Sequence, residues 1–404
     1  MKPRAALGLD WLVYAAIALL PLACWPGLEH PFATPKLGLL ALIDMALAAR
    51  YWLLRPKPAQ VSRATDWAWL AWLGALALSA LAAPYVSVEA LLLLALPAPL
   101  ALAIERGTIS RERVAGAIAA GSSALAAIAV LQYAGADPLR WLGWIPETFW
   151  NPRMRVYGTL GNPDFVAAWC AGTLPLIVMA AAKRRGVGVL HALARWGPVV
   201  LHVGAILATG SRVFLLALPA AALGLLVRRA ALNKWWLAMA AAIIVAAVWL
   251  SPARPLGTTI DGRLYLARVA ASGWRHVPLT GHGPGAFEIQ FSRLQVEWLR
   301  EHPRERAARA FAGAVDHAHN DYLEMFVELG PVGLGAFFAL GGLLAWSARR
   351  VGDDRPALAA WSGVAALSAV ALVDFPFHRP AEWALFWMFL GILGGSKVGG
   401  EDSR

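Results

Sequence analysis

Hydrophobic positions run in long blocks along this chain, and polar positions cluster between them. Stretches such as 11–28, 87–104 and 234–250 carry almost no charge, over lengths near the roughly 20 residues with which a helix crosses a bilayer. The pattern predicts spans near 11–28, 33–53, 66–83, 87–104, 112–132, 163–182, 190–208, 212–227, 234–250, 321–348, 356–373 and 381–397. An all-α polytopic membrane protein of about twelve helices follows. Two longer segments interrupt the short connections, 133–162 and 251–320, and the second is the only sizeable polar region. The expected division is therefore 1–250 with nine spans, a loop domain of two or three short helices over 251–320, and three spans with a tail over 321–404.

Composition sharpens this picture. Of 404 residues, 59% are hydrophobic and 15% charged, a balance that would leave a soluble domain with far too much apolar surface. Twenty tryptophans suit a membrane interface or a bundle core. Cys24 and Cys170 lie in or at the end of spans and form no disulfide or zinc pattern. The opening MKPR leads into an apolar segment without a small-residue cleavage signature, which predicts a retained first span.

The formal net charge of +11 would suit nucleic acid, but its placement does not. With a cytoplasmic N-terminus, the inward loops carry Arg50, Arg55, Lys57 and Arg63; Arg106, Arg111 and Arg113; Lys183, Arg184 and Arg185; Arg228, Arg229 and Lys234; and Arg349, Arg350 and Arg355. Each inward loop is basic, as the positive-inside rule requires. The outward 251–320 segment holds Arg254, Arg263, Arg268, Arg275, Arg293, Arg300, Arg304, Arg306 and Arg309 and no lysine. A planar guanidinium forks onto phosphate or carboxylate oxygens. The plainer alternative is ion pairing with Asp261, Glu288, Glu297, Glu301, Glu305 and lipid head groups.

Candidate chemistry gathers at the outward ends of spans. Arg212 stands in "TGSRVFLLAL" at a tight turn, Arg263 in "DGRLYLARVAASGW", and His319 and Asn320 in "HAHNDYLEMFVELGPVG" before a helix starting near Asp321. The plain reading of the last stretch is capping, with Asn320 or Asp321 as the cap and Glu324 completing a capping box. "GHGPGAF", 281–287, is a turn or a site of close backbone approach, and it lacks the Lys-Ser/Thr of a P-loop. A metal-dependent transferase would need an outward carboxylate pair. The adjacent pair Asp353-Asp354 falls on the inward side, so no metal and no cofactor are expected.

These residues resemble the O-antigen ligase family. "SRVFLL" with Arg212-x-x-x-Leu216 is similar to its arginine motif. His319-Asn320, nine residues, then Gly330-Pro331-Val332-Gly333 is similar to its H-[NSQ]-x9-G-x-x-G motif. That register selects His319 over His317. Further likeness lies in "VYGTLGNP" (156–163), "PLTGHGPGAF" (278–287) and "DFPF" (374–377), so the resemblance extends over nearly the whole chain. The superfamily includes O-antigen polymerases and protein O-oligosaccharyltransferases. The Arg-to-Gly spacing of some polymerases is one residue short at Arg263–Gly273 and at Arg275–Gly285. The protein-glycosylating relatives carry a longer C-terminal part, so the ligase is favoured.

The resemblance implies transfer of O-antigen polysaccharide from undecaprenyl diphosphate to a hydroxyl of lipid A-core at the periplasmic face of a bacterial inner membrane, with both termini cytoplasmic. Its partners would be these two lipid-linked glycans and the membrane lipids, not nucleic acid. Single displacement implies inversion at the anomeric carbon. A departing diphosphate gathers charge that fixed cationic groups stabilise, here Arg212 and Arg263 first, then Lys36, Arg153, Arg155 and Arg275, with Asn320 a weaker contact to diphosphate or glycan. The acceptor hydroxyl needs a base, and His319 fits. A helix N-terminus and nearby arginines favour neutral imidazole, whereas Asp316 would oppose this. A secondary transporter is the rival of another class, with Asp44 as its mid-span charge.

Overall fold

The computed structural model describes residues 2–55, 63–145, 152–183, 186–227, 256–303, 311–347 and 354–395. The expected span 234–250 lies outside them, as do Lys57, Arg184, Arg185, Arg228, Arg229, Lys234, Arg254, Arg304, Arg306, Arg309, Arg349, Arg350 and Asp353. Among the described residues the fold is all-helical, with no strands.

In chain order the helices are α1 (Lys2–Leu19), α2 (Thr34–Leu54), α3 (Arg63–Ala82), α4 (Val88–Ala95), α5 (Pro97–Glu105), α6 (Arg111–Tyr133), α7 (Pro163–Lys183), α8 (Val189–Thr209) and α9 (Phe214–Val227). There follow α10 (Leu256–Ser272), α11 (Phe287–Glu301), α12 (Asp321–Ser347), α13 (Arg355–Val370) and α14 (Pro380–Gly394). Among the described residues, seven stretches are long and apolar enough to cross a membrane: Thr34–Leu54, Arg63–Ala82, Val88–Glu105, Arg111–Tyr133, Pro163–Lys183, Val189–Thr209 and Asp321–Trp346. Leu7–Leu22, Phe214–Gly224 and Pro380–Gly394 are shorter apolar helices. Large apolar side chains such as Trp52, Trp67, Leu70, Leu78 and Phe338 stay exposed on these spans. In a membrane protein such a surface meets lipid. The chain is a polytopic membrane protein, as the hydropathy pattern predicts.

Local chemistry sets the helix ends. Ser110 Oγ accepts from the Arg113 amide at the head of α6, and Asp354 Oδ1 accepts from the Ala357 amide at the head of α13. Arg111 joins the two heads by pairing with Asp354 at 2.6 Å. α14 occupies the centre: Pro380 to Leu393 are all buried, as expected of a helix apolar on every face. It packs on α5, α13 and α12. Trp383 and Trp387 of α14, Trp72 of α3 and Phe337 of α12 form one aromatic seam.

The structure departs from the hydropathy pattern in three places. The span at 87–104 is two helices meeting at Leu96 and Pro97, because proline cannot donate to the preceding turn. The first span stops at a 3-10 turn ending at Leu22, short of the expected 28, with Pro21 and Pro26 ending helical continuity. The span at 321–348 is broken at Gly330, where φ is +68° and ψ −179°. The loop domain contains α10 and α11 joined through a 3-10 turn, Trp274–His276. Its own core of Tyr265, Leu266, Val269, Phe287 and Phe291 includes Ala318 and Val327, which seats it on the head of α12.

Candidate functional site

The site is built around the head of α12. Asn320 is the cap: its Oδ1 accepts from the Leu323 amide at 3.0 Å and its Nδ2 donates to the Leu372 carbonyl at 3.2 Å. The Asp321 amide donates to the Ala371 carbonyl, tying α12 to the end of α13. Glu324 does not close the expected capping box. Its Oε2 accepts from the Ala318 amide at 2.8 Å and its Oε1 from His317 Nδ1 at 2.7 Å. Residues 317 and 318 are therefore held on one side of His319 and residue 320 on the other. His319 takes φ +50°, one of two non-glycine residues at positive φ among those described. Such a conformation costs on the order of 1–3 kcal/mol, and it concentrates at functional positions.

The His319 side chain is 40% exposed, and its Nδ1 lies 3.6 Å from Oδ1 of Asp374, with no hydrogen-bond partner closer. Asp374 is only 4% exposed, and its Oδ2 receives Arg379 Nη1 at 3.2 Å. Arg379 in turn lies over the Phe165 ring at 3.7 Å and places Nε 3.2 Å from Glu382 Oε1. Burial alone would raise the Asp374 pKa. The Arg379 guanidinium and the His319 ring outweigh it and hold the carboxyl down at about 2. An exposed imidazole thus stands against a fixed, ionised carboxylate, the pairing that orients a general base.

The carboxylate facing His319 is Asp374, from 55 positions along the chain, and not Asp316, which is exposed. Its sequence signal was "DFPF", seen only as a likeness. His317 is occupied by Glu324 and stacks on Phe375 at 4.0 Å between centroids. The two histidines therefore differ in what is left over: His317 Nδ1 is bonded and His319 Nδ1 is not.

Behind the head of α12, the Gly330 break frees carbonyls that the loop domain satisfies. Pro331 has no amide to give the Val327 carbonyl, and the His282 amide takes its place at 3.0 Å. The Glu328 carbonyl receives the Gly283 amide at 2.9 Å and Ser79 Oγ at 2.9 Å, while the Val332 amide turns to the Leu279 carbonyl at 3.2 Å. The backbones approach so closely that a Cβ on Gly281 would sit 2.1 Å from the Glu328 carbonyl oxygen. One on Gly330 would sit 2.3 Å from that of Leu279. "GHGPGAF" is thus a close-approach loop, and Gly281, Gly283 and Gly330 serve main-chain contact.

The cationic candidates fare differently. Arg212 lies half-buried in the turn between α8 and α9, where Ser211 Oγ accepts from the Val213 amide at 3.2 Å. Arg263 is half-buried on α10, one turn from the residues that pack against Ala318. Arg275 is exposed beside Trp274, 5.5 Å from its ring. Arg155 is exposed, donates to the Tyr133 carbonyl and lies over the Tyr133 ring. Arg153 belongs to the 3-10 turn Pro152–Val156, and its side chain is outside the described set.

Lys36 is only 1% exposed, and its ammonium donates to three carbonyls: Ala23 at 2.7 Å, Phe32 at 2.6 Å and Thr159 at 2.8 Å. All three of its donors are used. Lys36 therefore has no proton left for a diphosphate oxygen, and it serves as a tether between the α1–α2 turn and "VYGTLGNP". Thr159 Oγ1 reinforces that tether by donating to the Pro21 carbonyl at 2.6 Å.

No adjacent carboxylate pair marks an outward segment of the sequence, but the fold brings two carboxylates and a histidine together. Among the described residues, Glu324, Glu328 and His378 converge with spacing suited to an ion. They lie buried behind His319.

Residues 197–338 match the family model described as O-antigen ligase. The match takes in Arg212, Arg263, Arg275, His319 and Asn320. Lys36, Arg153, Arg155 and Asp374 fall outside it. No curated protein matches the chain.

Proposed function

From an O-antigen ligase family domain over residues 197–338, we infer that this chain is an inverting glycosyltransferase. It moves O-antigen from undecaprenyl diphosphate to a hydroxyl of lipid A-core at the periplasmic face of the inner membrane. The observation that carries this reading is His319, held in a left-handed backbone conformation with its exposed ring against Asp374. In the transfer, the acceptor hydroxyl oxygen attacks the anomeric carbon as His319 Nε2 takes its proton. Asp374 faces Nδ1 and stabilises the resulting imidazolium. The bond between the anomeric carbon and the diphosphate oxygen breaks, and its electron pair leaves with the undecaprenyl diphosphate.

Arg212 and Arg263 are assigned to the charge that develops there, with Arg275, Arg153 and Arg155 as outer contacts to diphosphate or glycan. Asn320 fixes the helix head that carries the base. The diphosphate is a competent leaving group, so the reacting atoms call for neither a strong general acid nor a metal ion. The basic loops opposite this end support cytoplasmic termini.

The test is complementation of a strain lacking its own O-antigen ligase, scored by lipopolysaccharide ladders. Wild type should restore them, His319→Ala should not at equal protein level, and the exposed His276→Ala should. Ladders retained by His319→Ala would sink the mechanism. Absence of ladders from the wild type would point to polymerisation, protein glycosylation or transport.

A further inference from the structure

Behind the proposed base lies a second polar cluster that the transfer does not use. His378 ends the 3-10 turn Pro376–His378, and its Nδ1 meets Asp321 Oδ1 at 2.5 Å. The other Asp321 oxygen accepts from the Phe377 amide at 2.7 Å, so that carboxylate is fixed. A neutral ring with its Nδ1 proton on the Asp321 side would present the Nε2 lone pair on the opposite nitrogen. It faces two carboxylates one helical turn apart on α12: Glu324 Oε1 at 3.6 Å and Glu328 Oε2 at 3.5 Å.

A lone pair and two anionic oxygens repel one another unless a positive species stands between them. The distances fit a bound ion better than an N–H donor. An N–H donor bonds oxygen at about 2.7–3.2 Å, and both separations are longer. Two ligands at about 2.0–2.1 Å from a tetrahedral ion are themselves about 3.3–3.4 Å apart, close to what is seen. Neither His378 Nε2 nor Glu328 Oε2 has a hydrogen-bond partner, although the side chains are 4% and 2% exposed.

We propose that Glu324, Glu328 and His378 bind a divalent transition-metal ion of the zinc or manganese class at a buried three-ligand site. One imidazole nitrogen with carboxylate oxygens selects this class over calcium, which takes six to eight oxygens. Asp321 acts from behind, as the carboxylate that fixes the ring of a metal-bound histidine. With all three ligand side chains at 4% exposure or less, the ion does not reach substrate. It joins the head of α12 to the segment between α13 and α14 that carries Asp374.

The full-length protein, purified in detergent, tests this by elemental analysis and by Tm before and after chelation. A near-stoichiometric ion should accompany the wild type. Chelation should lower Tm, Zn²⁺ or Mn²⁺ should restore it, and magnesium should not. Glu328→Gln, of the same shape, should purify without the ion. Metal-free wild type whose Tm ignores added Zn²⁺ and Mn²⁺ would overturn the proposal and leave a proton on Nε2 as the positive species. An ion that stays with Glu328→Gln would also overturn it. The wild-type chelation arm decides the matter if that variant does not fold.

Discussion

The Lys36 cage and the His319 ledge are both polar clusters beside the ends of membrane helices, and they are opposites in how their hydrogen bonds close. Around Lys36 three donors meet three carbonyls in full burial. At His319 the backbone is strained, the ring is part exposed, and Nδ1 faces a carboxylate at 3.6 Å without a hydrogen bond. A cation in the first cluster holds the fold, while the second keeps capacity in reserve. On the proposed mechanism, what separates structural from reactive polar groups is unspent valence, not charge or position along a span.

The contrast predicts that damage to the two clusters appears in different measurements. The largest effect on chemistry belongs to His319→Ala, for which transfer in a purified donor–acceptor assay should fall about 10²–10⁴-fold with Tm little changed. His319→Asn should behave alike while suiting the left-handed backbone better. A comparable fall in Tm would erase the contrast.

Lys36→Met should do the reverse. It leaves three carbonyls without that donor, the buried one at Thr159 at about 1–3 kcal/mol and the two half-buried ones at less, so Tm and folded yield should drop. Molecules that do fold should keep their rate. Loss of rate without loss of stability would move Lys36 to the chemistry.

Asp374→Asn belongs between these extremes, with a fall in transfer of about tenfold or more and a change in acid stability. The native carboxyl is held at about 2, below its ordinary 3.8. Its stabilisation is thus complete above pH 3.8 and is lost as pH falls toward 2. Tm measured across that window should fall more steeply for wild type than for Asp374→Asn, and parallel curves would argue against the ion pair with Arg379. The smallest effect is Arg155→Ala, an exposed contact, which should change stability by about 0.5 kcal/mol or less.

Much of the fold was legible because each span carries its own apolar length, and the loop domain stood out by its arginines. The breaks within spans were harder. Pro97 and Pro331 both sit inside apolar runs, and hydropathy does not register a missing amide. As a candidate, His319 was legible through its spacing to Gly330 and Gly333. Its partner Asp374 was not, because the pairing joins the head of α12 to the segment after α13. The saturation of Lys36 is hidden from the sequence for a related reason: its three acceptors are main-chain oxygens of Ala23, Phe32 and Thr159, and a sequence does not announce where a carbonyl will point.

The Gly330 break also bears on the order in which the molecule is made. The His282 and Gly283 amides find their acceptors at Val327 and Glu328, which leave the ribosome more than forty residues later. The loop domain emerges first and waits with those amides in water until the following helix enters the membrane and turns at its glycine. Synthesis therefore completes the floor beneath the proposed base late, and a nascent chain halted before Val327 carries every arginine of the loop without the carbonyls that seat it.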